Sequence, residues 1–203
     1  MDNFLIKDYT ESDFLSKYNL LNNENRILNA GSSSVRYGTN CVNIDIEPNP
    51  NVDVVCDIQA IPDSLGQFDV IICNAVLQYC PDPPRVAAEF QRVLKPGGYL
   101  FIDVPWNQPS CPEPADRFRF SADGLKSLFS NFDIIEVGPS IRPGSAFAML
   151  GFHIASRMTN NKYLNYIFRN IAFVVLYPFR LLQTTDGGQT AGAFYMICRK
   201  TIA

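Results

Sequence analysis

Four short apolar runs crowd the first part of the chain, and what ends them constrains the fold more than any other feature. Arg26-Ile27-Leu28-Asn29-Ala30-Gly31 stops at a glycine followed by three serines. Cys41-Val42-Asn43-Ile44-Asp45-Ile46 and Val52-Asp53-Val54-Val55-Cys56-Asp57 close on carboxylates, and Phe68-Asp69-Val70-Ile71-Ile72-Cys73-Asn74 is apolar nearly throughout. Continuous apolar runs of this length indicate strands covered on both faces, as in a parallel sheet. Asp82-Pro83-Pro84 is a helix start, with prolines where amide donors are not needed. That helix runs through Val86, Phe90, Val93 and Leu94 and is closed by Lys95-Pro96-Gly97-Gly98. Tyr99–Val104 reads as a strand, Ser121 opens a helix through Phe129, Phe132–Val137 is a strand, and Ala193–Arg199 is the last one. Spacing over residues 10–22 adds an amphipathic lead-in helix. The alternation indicates an α/β doubly wound sheet.

A chain of 203 residues, 47% hydrophobic and 18% charged, is expected to form one globular domain and is neither disordered nor fibrous. Its six cysteines form no C-x-x-C pair, and one histidine cannot complete the usual zinc spacings, so no metal site is expected. Scattered reduced thiols and the absence of a basic start followed by an apolar run point to a cytoplasmic protein. The net charge of -3 is unevenly spread: acids dominate up to Glu136. From there to Asp186 no acid occurs, while Arg142, Arg157, Lys162, Arg169 and Arg180 do. That asymmetry suggests two surfaces with different partners.

In an open α/β sheet the ligand lies beyond the carboxyl ends of the strands. Gly31 permits close approach of a ligand to the backbone. Asp45 stands where a carboxylate can accept both hydroxyls of a ribose, and Asp57 where one can accept from an exocyclic amine. Each is equally an ordinary turn residue alone; their order along the chain is more informative.

Ile27-Leu28-Asn29-Ala30-Gly31-Ser32, Asn43-Ile44-Asp45-Ile46 and Asp57-Ile58-Gln59-Ala60-Ile61-Pro62 resemble class I S-adenosylmethionine-dependent methyltransferases, in particular the type 11-like domain. FDVIICNAVLQYCPDPPRVAAEFQRVLKPGGYLFIDVP (68–105) resembles that family over almost its whole length, and RFRFSADGLKSLF (117–129) matches a recurrent element of bacterial members. The resemblance implies a mostly parallel, seven-stranded, Rossmann-like sheet with the last strand antiparallel. The cofactor-binding core would span 26–140, an acceptor or interface insertion 141–190, and the last strand 193–200. It implies S-adenosyl-L-methionine as cofactor: Ala30, Gly31 and Ser32 facing the methionine portion, Asp45 with Ile46 beside it holding the ribose, and Asp57 with Ile58 reading the adenine. Asn74, Ala75 and Val76 would flank the methyl-bearing sulfur.

Two departures stand out. The family's second glycine is replaced by Ser33, and Arg36-Tyr37-Gly38-Thr39-Asn40 makes an unpersuasive helix, so the first helix is expected to be shortened or lost. Those departures keep a non-catalytic binding or scaffold protein on the same fold as the alternative. A nicotinamide oxidoreductase is disfavoured because no G-x-G-x-x-G turn follows the first strand.

No catalytic base is readable. His153, between Phe152 and Ile154, reads as a satisfied structural histidine more readily than an acid/base group, and Asp103 and Asp116 are the alternatives. Trp106, Arg117 and Arg119 are candidates for an acceptor pocket, the acceptor being a small molecule, a saccharide or a lipid-linked compound. Residues 157–182 read as an apolar helix packed over the sheet, at a homodimer interface, or lying on a membrane surface with its arginines at anionic headgroups. Nucleic acid is disfavoured by the acidic front portion.

Overall fold

The computed structural model describes residues 7–22, 24–33, 35–182 and 189–202. A seven-stranded sheet forms from β1 (Ile27–Ala30), β2 (Cys41–Asp45), β3 (Val54–Val55), β4 (Phe68–Asn74), β5 (Leu94–Pro105), β6 (Asp133–Ile141) and β7 (Ala193–Arg199). Its order is β3-β2-β1-β4-β5-β7-β6. The strands from β3 through β5 pair in parallel, and β7 runs antiparallel to both β5 and β6. Strand order reverses between β1 and β4, which places the ligand crevice at their carboxyl ends.

Side chains alternate across β4, so the sheet has two cores. Ile71 and Cys73 join Leu28, Ile44, Leu100 and Ile102 beneath α2 (Pro83–Val93) and α3 (Ala122–Leu128), which contribute Phe90 and Leu125. Val70 and Ile72 point the other way, toward Phe101 and Ile197 and toward Phe14 and Leu15 of α1 (Glu11–Lys17). On this second face the rings of Phe14 and Phe101 stack at 5.2 Å and those of Tyr9 and Tyr195 at 4.2 Å. Asp82 caps α2 by accepting from Arg85 N, and Ser121 caps α3 by accepting from Gly124 N. The lead-in helix is shorter than its periodicity suggests. It ends at Lys17 because Asn19 turns to φ +51° and drops Leu20 into the core. Of the third apolar run only Val54–Val55 pairs as a strand.

Between β1 and β2 the described residues form turns and no helix, so the first helix is lost rather than shortened. Side chains hold this loop instead. Buried Asn29 and Asn43 both donate to the Val35 carbonyl at 2.9 Å, and Asn43 also donates to Asn51 O at 2.8 Å. Arg36 donates to Cys41 O at 2.6 Å and pairs with Asp53 at 2.8 Å. The Val35 carbonyl, which a helix would have satisfied, is met by side chains of β1 and β2 instead.

The segment before β7 is a pair of helices, α4 (Pro143–Ala155) and α5 (Lys162–Leu176), followed by a 3-10 turn over Tyr177–Leu181 that contains Pro178. The apolar stretch at 157–182 therefore supplies only the second helix of the pair. α5 buries none of its residues and packs on α4 and that 3-10 turn, rather than lying over the sheet.

Candidate active site

Three loops meet at the switch point. Gly31 leaves β1 at φ +79°, and a Cβ on it would meet Val76 Cγ2 at 2.2 Å. Any other residue there would be strained and would collide with the segment after β4. The amides of Gly31 and Ser32 both donate to Ile44 O, tying the turn to β2. Ser33 follows at φ +46°, and its N–H donates to Asp45 Oδ2 at 2.9 Å. Asp45 Oδ1 accepts from Glu47 N at 3.1 Å, so each carboxylate oxygen keeps a lone pair for a ligand hydroxyl. Ile46 beside it is exposed, whereas Ala30 is fully buried.

After β3, Asp57 Oδ1 accepts from Gln59 N at 2.8 Å and Oδ2 from Gln59 Nε2 at 2.9 Å, while Ile58 is buried in the main core. At the end of β4, Ala75 takes φ +56° with its N–H on Asp103 O at 2.8 Å. Two non-glycine residues in the left-handed region, Ser33 and Ala75, thus lie in the turns that follow β1 and β4. Such strain gathers where surroundings over-determine the backbone, as at ligand sites.

Beyond Asn74 and Ala75 lies a cleft of about 190 Å³ lined by Lys7, Gln78, Asp103, Asp116 and Arg119, among others. Asp103 is buried: Lys7 Nζ reaches Oδ2 at 3.1 Å and Ser140 Oγ donates to Oδ1 at 2.9 Å. Burial pushes its carboxyl above the usual range, against the pull of Lys7 and Ser140. Asp116 pairs with Arg119 through Oδ2, leaving Oδ1 buried without a partner. Gln78 donates to Ala75 O at 2.8 Å and its Oε1 is likewise buried without a partner. Two unsatisfied acceptor oxygens on one cleft call for a donor from outside.

Of the residues singled out in the sequence, Gly31, Ser32, Asp45, Asn74, Ala75 and Val76 come together at the switch point, with Asp57 and Ile58 one strand further. Asp103, Asp116 and Arg119 line the adjoining cleft. Arg117 is exposed and contributes only its backbone N–H, to Gln78 O, and Trp106 packs beside Phe194. His153 stands apart on α4, half-exposed, with Nδ1 3.1 Å from Arg157 Nη1. Partial burial and that guanidinium push its pKa down. Lys7 and Gln78 carry no motif; Gln78 sits inside the most recognisable stretch at a position its pattern leaves open.

Residues 29–102 match the family model for the methyltransferase domain. The surrounding sheet has the class I methyltransferase fold. Within this chain, 51 residues are 45% identical to trans-aconitate 2-methyltransferase of Deinococcus radiodurans, covering 25% of this chain and 19% of that one. Another 39-residue match, 47% identical, is to the ubiquinone biosynthesis O-methyltransferase of Thiobacillus denitrificans and covers 19% of this chain and 17% of that one. The matches span about a fifth of these relatives' length. The fold as a whole is similar to a Galdieria sulphuraria protein assigned as a sarcosine dimethylglycine methyltransferase. There the TM-score is 0.62 at 16% identity, over 94% of this chain and 83% of that one. It is also similar to the 1,6-didemethyltoxoflavin-N1-methyltransferase of Burkholderia thailandensis, solved with S-adenosylhomocysteine. That comparison gives a TM-score of 0.53 at 15% identity, over 86% of this chain and 70% of that one.

The switch-point residues fit S-adenosylmethionine. Ser32 Oγ is buried without a partner in the turn after β1, Asp45 keeps two lone pairs, and the Gly31 backbone is bare of a Cβ. Among the described residues no cluster could hold a metal ion.

Proposed function

We propose that this protein transfers a methyl group from S-adenosylmethionine to a small-molecule, saccharide or lipid-linked acceptor bound in the cleft between Asn74 and Arg119. The observation that carries this reading is the placement of Gly31, Asp45 and Asp57 in chain order at the ends of β1, β2 and β3, beside the switch point. S-adenosylmethionine supplies a methyl group on a sulfonium, already activated for displacement. Asp45 would accept from the ribose hydroxyls, Asp57 from the adenine amine, and Ser32 Oγ would gain the partner it lacks. On the acceptor side, Gln78 Oε1 and Asp116 Oδ1 would accept from the incoming molecule's hydroxyl or amine, which orients its nucleophilic atom toward Asn74. Positioning of this kind supplies most of the rate in a displacement that needs no covalent enzyme intermediate.

One observation favours a second reading, a binding or scaffold protein. The helix whose N-terminus would face the ligand is missing, and Asp45 spends one lone pair of each oxygen on its own loop. Photolabelling with methyl-tritiated S-adenosylmethionine separates the two. Labelling that S-adenosylhomocysteine suppresses and NAD does not supports the cofactor site on which the transferase reading rests; absence of labelling supports a scaffold whose site has lost its cofactor.

A further inference from the structure

The α4–α5 pair leaves a large apolar surface uncovered. On α4 the exposed side chains Phe147, Leu150, Ile154 and Met158 fall at i, i+3, i+7 and i+11, one stripe of a helix and its continuation. On α5 a second stripe runs Tyr163, Ile167, Ile171 and Val174, with Val174 72% exposed. Phe147 meets Phe179 of the following 3-10 turn with ring centroids 5.7 Å apart, which extends the apolar surface to exposed Leu181 and Leu182. The two helices pack closely where Leu176 seats on Gly151, with Leu176 Cδ1 2.6 Å from where a Cβ on that glycine would lie.

Cations border this surface. Lys162 lies over the Tyr163 ring at 5.4 Å, Arg169 over Tyr166 at 5.0 Å and Arg180 over Tyr177 at 3.8 Å. Arg157 and Arg169 come together with His153, Ser156 and Phe152 around a cleft of about 550 Å³ between the helices. No acidic residue occurs between Glu136 and Asp186. Tyrosines beneath cations, next to uncovered aliphatic stripes, match the chemistry of a lipid–water boundary: rings at headgroup depth, charges on phosphate, aliphatic groups below. A protein partner would more often match such a surface with acids at its rim and a flat apolar centre, leaving the two-arginine cleft without a purpose.

From this arrangement we infer that the α4–α5 pair docks the protein on an anionic phospholipid bilayer. Headgroup phosphates occupy the Arg157–Arg169 cleft and the Ile167–Val174 stripe enters the acyl boundary. The attachment is peripheral; no described helix is long and apolar enough to cross a membrane. It is independent of the methyl-transfer reading. The two are adjacent in space, since α4 begins two residues after Ile141, which lines the 190 Å³ cleft.

Co-sedimentation of the full chain tests the inference, with vesicles of phosphatidylcholine alone and of equimolar phosphatidylcholine and phosphatidylglycerol. The protein is expected to sediment only with the anionic vesicles. Arg157→Glu with Arg169→Glu should weaken partitioning by at least about tenfold, since each basic side chain near such a surface contributes about 1 kcal/mol. Val174→Asp should also abolish sedimentation, and because Val174 is exposed its circular dichroism and Tm should match the parent. Sedimentation with neutral vesicles alone, partitioning unchanged by the arginine reversals, or no vesicle binding at all would overturn the inference. In the last case, a dimer in analytical ultracentrifugation that Val174→Asp dissociates would assign the surface to a second copy of the chain.

Discussion

Asp45 Oδ2 accepts the Ser33 N–H at 2.9 Å and thereby holds a serine in the left-handed region, at φ +46°. Family members usually place a glycine at this position, where the conformation is free of strain. Here the carboxylate expected to face the ribose also fixes the turn expected to face the methionine, so the two ends of the proposed cofactor site are mechanically joined.

That coupling makes Ser33→Gly informative. A left-handed non-glycine residue costs about 1–2 kcal/mol, partly offset by the greater freedom glycine gains in the unfolded chain. The substitution should stabilise the protein by about 0.5–1 kcal/mol and raise Tm by about 2 °C in a thermal melt. A fall in Tm would mean that the serine side chain, rather than the Asp45 contact, secures the turn.

Asn43 should be one of the costliest polar residues to lose. It is fully buried and donates to Val35 O and Asn51 O, so Asn43→Leu would remove two buried hydrogen bonds where a helix is missing, leaving Val35 O to Asn29 and Asn51 O to Arg36. Urea denaturation should show a loss of about 1–3 kcal/mol, for two buried hydrogen bonds at about 1 kcal/mol each and some looser packing. A loss below about 1 kcal/mol would mean that the loop is held from elsewhere.

Most of the sheet is legible in the sequence and most of the proposed acceptor cleft is not, for a physical reason. β1, β4 and β7 are largely buried on both faces, so each reads as a mostly apolar run, and the last of these matches its predicted bounds residue for residue. The 31–40 loop is stabilised by Asn29 and Asn43, whose amides look like ordinary strand-interruptions until the strands are paired. Lys7 and Gln78 are 71 positions apart and meet only because α1's leading segment crosses the ends of β4 and β5. The α4–α5 boundary was hidden because both helices are apolar on the exposed as well as the packed side, which erases the periodic signal. His153 looked core-bound from its neighbours, yet it lies on the helix face toward Arg157.

Acid sensitivity should trace in part to Glu136. Its carboxylate accepts from Lys17 Nζ at 2.6 Å and from Tyr195 Oη at 2.5 Å, which together hold its pKa below the usual glutamate range. The unfolded chain therefore takes up the proton first as pH falls. The stability from this contact is present above the unfolded glutamate pKa of about 4.3 and is lost as pH drops through the lower folded value. Glu136→Gln should cost about 0.5 kcal/mol near neutrality, a figure discounted for the half-exposed lysine, and should flatten the acid limb of a Tm-against-pH series. An unchanged acid limb would assign that sensitivity to other carboxylates.

Thiol reactivity should single out one residue of six. Cys41, Cys73, Cys80 and Cys198 are buried, and burial raises their pKa, Cys80 to about 11 and Cys198 to about 12. Cys56 is half-buried and is pushed up by burial and by Asp57. Cys111 is half-exposed on the rim of the proposed acceptor cleft. A disulfide reagent at pH 8 should modify Cys111 first and the buried four only on unfolding. Fast modification of two or more buried cysteines in the folded protein would contradict the core packing described.

The most direct test of the central claim is calorimetric titration with S-adenosylmethionine and S-adenosylhomocysteine, run in parallel on the parent protein and on Asp45→Ala. The switch-point geometry predicts micromolar binding of both ligands by the parent and none by the variant, with both proteins folded by circular dichroism. No heat from a folded parent protein at high ligand concentration would contradict the cofactor site and leave the scaffold reading.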